Sequence, residues 1–119
     1  MLSITKKFEF EAAHFLPDYE GPCKNTHGHT YKLEVSLGGE LTPEAGYFGM
    51  IYDFSLLKKT VQEEIISKMD HSLLNNFFKN PTAELMVCWI RDQLITKFGT
   101  SLIRVRLYET SNSYAEWAR

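Results

Sequence analysis

Three of the four histidines fall close together near the start of the sequence, at His14, His27 and His29. Side chains alternate between the two faces of a β-strand, so His27 and His29 should point to the same side. Both share the phase of the apolar residues that follow them, and His14 continues the apolar phase of the segment before it. Imidazole is the commonest zinc ligand, and three protein ligands with an open fourth position are typical of a catalytic site. The alternative is three separate core histidines, each bonded to the backbone.

Cys23 precedes His27 by four residues, in a segment rich in turn-forming residues. A thiol beside a bound dication and next to Lys24 loses its proton readily, so Cys23 could act as a thiolate base. The alternative is a fourth ligand in a closed, structural zinc site. A disulfide with Cys88 is not expected in a reducing cytoplasm, and Cys88 is predicted to pack as a small hydrophobic residue.

Asp70 and His71 are adjacent at the predicted end of a helix. Neighbouring side chains on a helix diverge by about 100°, so the two groups need not touch. The simpler interpretation is a surface aspartate and a histidine that the helix dipole favours.

Glu109 is a carboxylate on the apolar phase of a predicted strand, after Ile103, Val105 and Leu107. A buried carboxylate needs a charged or hydrogen-bonding partner, which makes Glu109 a candidate binding residue. Glu84 lies in the first turn of a predicted helix, where acids are common for dipole reasons alone.

The hydrophobic pattern predicts the elements that must hold these residues. Four segments alternate between apolar and polar residues and are predicted strands: 2–12, 30–37, 101–109 and 113–118. Two segments carry apolar residues four apart and are predicted helices: 54–69 and 80–98. Asp53 or Ser55 should cap the first helix, Asn80 should cap the second with Pro81 in its first turn, and Gly99 should end it.

The order ββααββ predicts an α+β protein, with a four-stranded antiparallel sheet and two helices on its apolar face. The other face would carry lysine, arginine and glutamate. Such a sheet has exposed edges, which small proteins often remove by oligomerising or by closing a barrel. With 119 residues, the chain is expected to form a single domain over residues 1–119.

Composition excludes several classes of partner. The formal net charge is −2 with both signs interspersed, which argues against nucleic acid and against an anionic membrane surface. No apolar run approaches the roughly 20 residues of a membrane span, and the start lacks a signal-peptide pattern. A cytoplasmic location is therefore expected.

Several short motifs occur in an order that resembles the 6-pyruvoyltetrahydropterin synthase superfamily. They are Phe10–His14, Cys23–His29, Gly49–Phe54, Asp70–His71, Pro81–Glu84 and Glu109–Thr110. The short spacing from Cys23 to His27 resembles the bacterial 6-carboxytetrahydropterin synthase branch, and a folate-pathway branch has glutamate in place of the cysteine. The resemblance implies the tunnelling fold (T-fold), in which trimers join their sheets into a barrel and two trimers stack as a homohexamer, with active sites between subunits.

The resemblance also implies a role for each matching residue. The residues that match zinc ligands are His14, His27 and His29. Those that match catalytic groups are Cys23 as base and Asp70 with His71 as proton-relay partners from across an interface. Those that match the pterin pocket are Glu109 as anchor, Glu84 and Thr82.

The activity implied is that of a zinc-dependent lyase in queuosine biosynthesis. It converts 7,8-dihydroneopterin triphosphate to 6-carboxy-5,6,7,8-tetrahydropterin and releases acetaldehyde and triphosphate. Two alternatives stay open: the 6-pyruvoyltetrahydropterin synthase reaction, which stops before carbon–carbon cleavage, and a non-enzymatic zinc-binding module with Cys23 as fourth ligand.

Overall fold

The computed structural model describes residues 1–21 and 25–119 of the chain. Five strands occur in these ranges: Ser3–His14 (β1), His27–Gly38 (β2), Ser72–Leu73 (β3), Leu102–Thr110 (β4) and Ser113–Ala118 (β5). The helices are Phe54–Val61 (α1), Ser67–Met69 (α2) and Ala83–Phe98 (α3), and a π-helical turn, Gln62–Ile66, joins α1 to α2.

The strands form one sheet in the order β3-β1-β2-β4-β5. The four long strands pair with one another in antiparallel fashion, which confirms the predicted core of the sheet. The prediction missed β3, which pairs parallel with β1 through Ala12 and Ala13. A two-residue strand is too short to show any alternation, so its sequence carries no signal.

One face of the sheet and the helices enclose a single apolar core, as predicted. The buried residues of the long strands are Phe8, Phe10, Ala12, Tyr31, Leu33, Val35, Leu37, Leu102, Val105 and Leu107. The opposite face is charged, and ion pairs link neighbouring strands across it. Lys7 Nζ lies 3.9 Å from Glu34 Oε2, and Arg106 Nε lies 2.7 Å from Glu116 Oε1.

The predicted alternation fails at the start of β4. The pairing of β2 with β4 shifts between Ser36 and Leu37, so Leu37 lies opposite Leu102. Leu102 is therefore fully buried, while Ile103, which was predicted to point inward, is only partly buried. A bulge of this kind reverses the phase of the residues before it.

The first helical segment is continuous from Phe54 to Met69, as predicted, and Asp53 caps it by accepting a hydrogen bond from the Ser55 N–H. Its apolar stripe is fully buried along its whole length: Leu57, Val61, Ile65 and Met69. In an α-helix, each residue of such a stripe lies about 40° further around the helix axis than the residue four positions before it. The more loosely wound π-helical turn takes up part of this drift, because its hydrogen bonds span five residues.

The second helix begins later than predicted. Thr82, and not Asn80, is the cap, because its Oγ1 accepts a hydrogen bond from the Leu85 N–H. Gly99 ends the helix with φ 57°, as predicted. Cys88 is exposed, which contradicts its predicted packing; it follows the buried Met86 by two residues, or about 200° around the helix.

None of the helices formed by the described residues combines the length and the apolarity needed to cross a bilayer.

Candidate metal centre and active site

The three histidines converge at one end of the β1–β2 pair, as the strand phases predicted. His14 pairs directly with His27 across the two strands, and Ala12 pairs with His29. One ring nitrogen from each histidine lies within 4.8 Å of the other two. The ring centroids of His27 and His29 are 4.5 Å apart, and those of His14 and His29 are 4.9 Å apart. We call His14, His27 and His29 the imidazole cluster.

The hydrogen bonds of the imidazole cluster leave the Nε2 atoms available as metal ligands. His14 Nδ1 lies 2.7 Å from the Tyr31 hydroxyl, and His27 Nδ1 lies 2.7 Å from the Asn25 carbonyl. Within the described part of the chain, His14 Nε2 and His29 Nε2 are buried and have no hydrogen-bond partner. Buried polar atoms are almost always bonded, so two in one histidine cluster without partners fit a metal ion. The donor set, three imidazoles, suits zinc.

The protonation of the cluster also suits a metal. Burial lowers the pKa of His14 to about 4, and the neighbouring His29 and His27 act in the same direction. Burial also lowers the pKa of His29, although the nearby carboxylate of Glu109 opposes this shift. These two imidazoles are therefore neutral at neutral pH, and the neutral ring is the form that binds metal.

Glu109 lies beside the cluster, on the apolar phase of β4 that the sequence indicated. Its Oε1 is 3.6 Å from His29 Nε2 and 4.0 Å from His14 Nε2, too long for hydrogen bonds, and its side chain is 23% exposed. Glu109 is the extra residue of a bulge, because the pairing of β4 with β5 shifts between Tyr108 and Thr110. Bulges next to active sites often redirect a side chain.

An open cleft of about 590 Å³ leads to Glu109. It lies between the start of α3, which contributes Glu84 and Cys88, and strands β4 and β5. Glu84 and Glu109 therefore share one cleft, as predicted. Thr82 is not among the described residues that line it, and its hydroxyl caps α3.

Asp70 and His71 are in contact, a point that the sequence left open. His71 Nδ1 lies 3.1 Å from Asp70 Oδ2, because the helix ends at Met69 and Asp70 is already extended. Both residues bind the backbone of Glu11 on β1: Asp70 Oδ1 accepts its N–H at 2.9 Å, and the His71 N–H donates to its carbonyl at 2.6 Å. The Glu11 N–H, with a smaller effect of His71, holds the pKa of Asp70 below its usual value.

His71 presents its ring to solvent, with 79% of the side chain exposed. Its φ is 57°, a left-handed conformation that a histidine rarely adopts. His71 and His29 line the same shallow groove on the surface. His71 is thus held by β1 near the imidazole cluster but does not belong to it.

Cys23, the predicted base, lies outside the described residues. Tyr31 was not among the predicted site residues, yet its hydroxyl contacts His14. A phenol on the buried phase of a strand needs a hydrogen-bond partner, and that signal could have identified it.

Comparisons with known proteins identify the family of the chain. The sequence model of the family described as 6-pyruvoyl tetrahydropterin synthase matches residues 3–119. The 6-carboxy-5,6,7,8-tetrahydropterin synthase of Haemophilus influenzae is 33% identical over 139 aligned positions, which cover 98% of this chain and 99% of the relative. A putative enzyme of the same name from Archaeoglobus fulgidus is 37% identical and covers 92% of this chain and 90% of the relative.

Solved structures show the same fold. The 6-pyruvoyl tetrahydropterin synthase of Caenorhabditis elegans has a TM-score of 0.86 at 27% identity, covering 99% of this chain and 95% of that one. The match to the enzyme of that name from Plasmodium vivax has a TM-score of 0.74 at 20% identity, covering 100% and 99% of the two chains. On the sequence match over nearly its whole length, this chain belongs to the 6-pyruvoyl tetrahydropterin synthase family.

Proposed function

We propose that the chain is a zinc-dependent 6-carboxytetrahydropterin synthase, a carbon–carbon lyase that serves queuosine biosynthesis. The observation that carries the proposal is the imidazole cluster, whose Nε2 atoms at His14 and His29 are buried and lack partners among the described residues. Glu109 lies beside them and lines an open cleft. The names of the Haemophilus influenzae and Archaeoglobus fulgidus relatives favour this branch of the family.

The proposed reaction takes up one water for each 7,8-dihydroneopterin triphosphate and releases triphosphate and acetaldehyde. His14, His27 and His29 would hold zinc through Nε2. Bound there, zinc would supply Lewis-acid polarisation of the oxygens on the substrate side chain. The carbon atoms that bear those oxygens are the ones that must lose protons in the reaction.

Proton transfer is assigned to Cys23 and His71. Cys23 as thiolate takes the proton from the side-chain carbon. His71 accepts and returns protons at its exposed ring, and Asp70 orients that ring through the 3.1 Å contact with Nδ1. Loss of the proton allows triphosphate to leave by elimination. Addition of the water to the carbonyl next to the ring then allows the adjacent carbon–carbon bond to break, which leaves the carboxyl group on the pterin and releases acetaldehyde.

Binding of the pterin is assigned to the cleft of Glu109 and Glu84. The 2-amino group and N3–H of a pterin are two parallel donors, which match the two oxygens of one carboxylate. Glu109 can accept both, because its carboxylate is partly exposed and, among the described residues, its shortest recorded approach is 3.6 Å to His29 Nε2, too long for a hydrogen bond. Thr82 is proposed to lie near the bound ring.

The proposed function is tested with the purified, zinc-loaded protein and 7,8-dihydroneopterin triphosphate. We expect about one zinc per chain and the release of acetaldehyde together with triphosphate. Removal of the metal with a chelator should stop both products, and added zinc should restore them. Triphosphate without acetaldehyde would instead indicate the 6-pyruvoyl reaction. Zinc binding without either product would indicate the non-enzymatic module.

We also propose that the chain assembles as a homohexamer of two trimers. Within the described residues, β5 has a neighbour on one side only, and β1 pairs on its outer side only through Ala12 and Ala13. The radius of gyration is 15.6 Å, against about 13.5 Å for a compact domain of this length. Edge pairing between copies would cover both strands and enclose the charged face in a barrel.

Light scattering on the purified protein should therefore report a multiple of three chains, with six as the expected number. The mass should not change when the metal is removed, because the imidazole cluster lies within one chain. A stable, active monomer would contradict both the barrel and the placement of the active site between subunits.

A further inference from the structure

His14 differs from the other two histidines of the cluster in its surroundings. It is fully buried, whereas His27 and His29 are only partly so. Its Nε2 faces the cluster, and its Nδ1 lies 2.7 Å from the hydroxyl oxygen of Tyr31. The orientation of this ring is therefore set inside the core, with a side-chain contact to a residue that is not itself a candidate ligand.

Tyr31 is well fixed for such a role. It is fully buried on β2, two residues after His29. Phe10 lies directly opposite it on β1, and the two rings stack with centroids 5.1 Å apart and an interplanar angle of 10°. This stacking, in a fully buried position, leaves the hydroxyl little freedom to move away from His14.

We propose that Tyr31 is a positioning residue for the metal, an inference that rests on the proposed zinc site. A neutral imidazole that binds metal through Nε2 carries its hydrogen on Nδ1. The Nδ1–H of His14 then donates to the Tyr31 oxygen, which fixes both the tautomer and the angle of the ring. Partners of this kind, bonded to the far nitrogen of a ligating histidine, typically change metal affinity 10- to 100-fold when they are removed.

The test is Tyr31→Phe, which removes the hydroxyl and leaves the buried ring. Competition with a coloured chelator should show that zinc binds about 10- to 100-fold more weakly than in the wild-type protein. With Co²⁺ in place of zinc, the visible absorption bands should shift, because they report the geometry of the ligands. In a His14→Ala background, Tyr31→Phe should cause no further loss, because the proposed effect of the hydroxyl passes through its contact with the His14 ring.

Two control variants separate this effect from general damage. Tyr108→Phe removes a hydroxyl that accepts a hydrogen bond from Arg106 at 3.3 Å on the charged face, and it should leave zinc affinity unchanged. Val35→Ala weakens the core further along β2 without touching the hydroxyl, so it shows whether a loss of stability alone lowers the affinity. Zinc affinity should be unchanged in this variant too.

The possible outcomes distinguish the inference from the proposed function. If His14→Ala binds zinc as tightly as the wild type, the zinc site itself is wrong. If His14→Ala loses zinc but Tyr31→Phe does not, the site stands and the role of Tyr31 is overturned. An equal loss in Val35→Ala, or a further loss from Tyr31→Phe in the His14→Ala background, would also overturn that role.

Discussion

Replacement of Cys23 by alanine is expected to abolish turnover while zinc content and assembly stay unchanged. A positioned proton-transfer group typically contributes about 100- to 10,000-fold to the rate, so the loss should fall in that range. Zinc should remain bound, because the imidazole cluster supplies three ligands without a cysteine. Steady-state kinetics, metal analysis and light scattering on the same preparation would measure the three quantities together.

Cys23→Ser is the matched variant for this prediction. It keeps nearly the same size, but a hydroxyl holds its proton far more tightly than a thiol, so it should be as inactive as alanine. Loss of zinc from both variants would mean that Cys23 is a fourth ligand, as in a structural module. Substantial activity in the serine variant would contradict a thiolate base. Cys88 remains in both variants, and it is assigned neither the role of base nor that of zinc ligand.

Much of the site could be predicted from the sequence because strand periodicity fixes direction. The spacing of His27 and His29, with the phase of His14, was enough to bring the three rings to one side of neighbouring strands. The structure confirms this geometry, because one ring nitrogen from each histidine lies within 4.8 Å of the other two. The same argument placed Glu109 on the inner face of β4, and it lies beside the cluster.

The features that sequence could not predict depend on where regular structure breaks. The contact between Asp70 and His71 requires the helix to end at Met69 and His71 to adopt φ 57°. Both are stabilised by bonds to Glu11, which lies 59 residues from Asp70 along the chain. Local propensity contains no information about a partner so distant.

The bulge in β4 and the start of α3 also differ from the prediction, because neither is decided by the local sequence alone. The bulge that buries Leu102 in place of Ile103 comes from the pairing of β4 with β2, so the alternation of β4 alone could not reveal it. Asn80 and Thr82 are both good capping residues, and the choice between them depends on which side chain can reach a free N–H. In the folded chain, Thr82 reaches the Leu85 N–H at 3.2 Å.

Glu109→Gln is expected to lower kcat/KM by at least about 100-fold, or roughly 3 kcal/mol in transition-state stabilisation. Glutamine keeps the size of the side chain, but it replaces one acceptor by an NH₂ group that would face a donor of the pterin. Sites built around such paired hydrogen bonds lose heavily when one partner is wrong, because buried polar groups are left unmatched. Steady-state kinetics with 7,8-dihydroneopterin triphosphate would measure the loss.

Two further glutamate variants make the Glu109→Gln result specific. Glu63→Gln changes an exposed residue of the π-helical turn and should leave the kinetics unchanged. Glu84→Gln makes the same chemical change in the same cleft and should cost less than Glu109→Gln, because Glu84 is exposed at the first turn of α3. Zinc content should stay at the wild-type value in all three variants, since none of these residues is a proposed ligand. Near-normal kinetics for Glu109→Gln, with a large loss for Glu84→Gln, would move the pterin anchor from β4 to the start of α3.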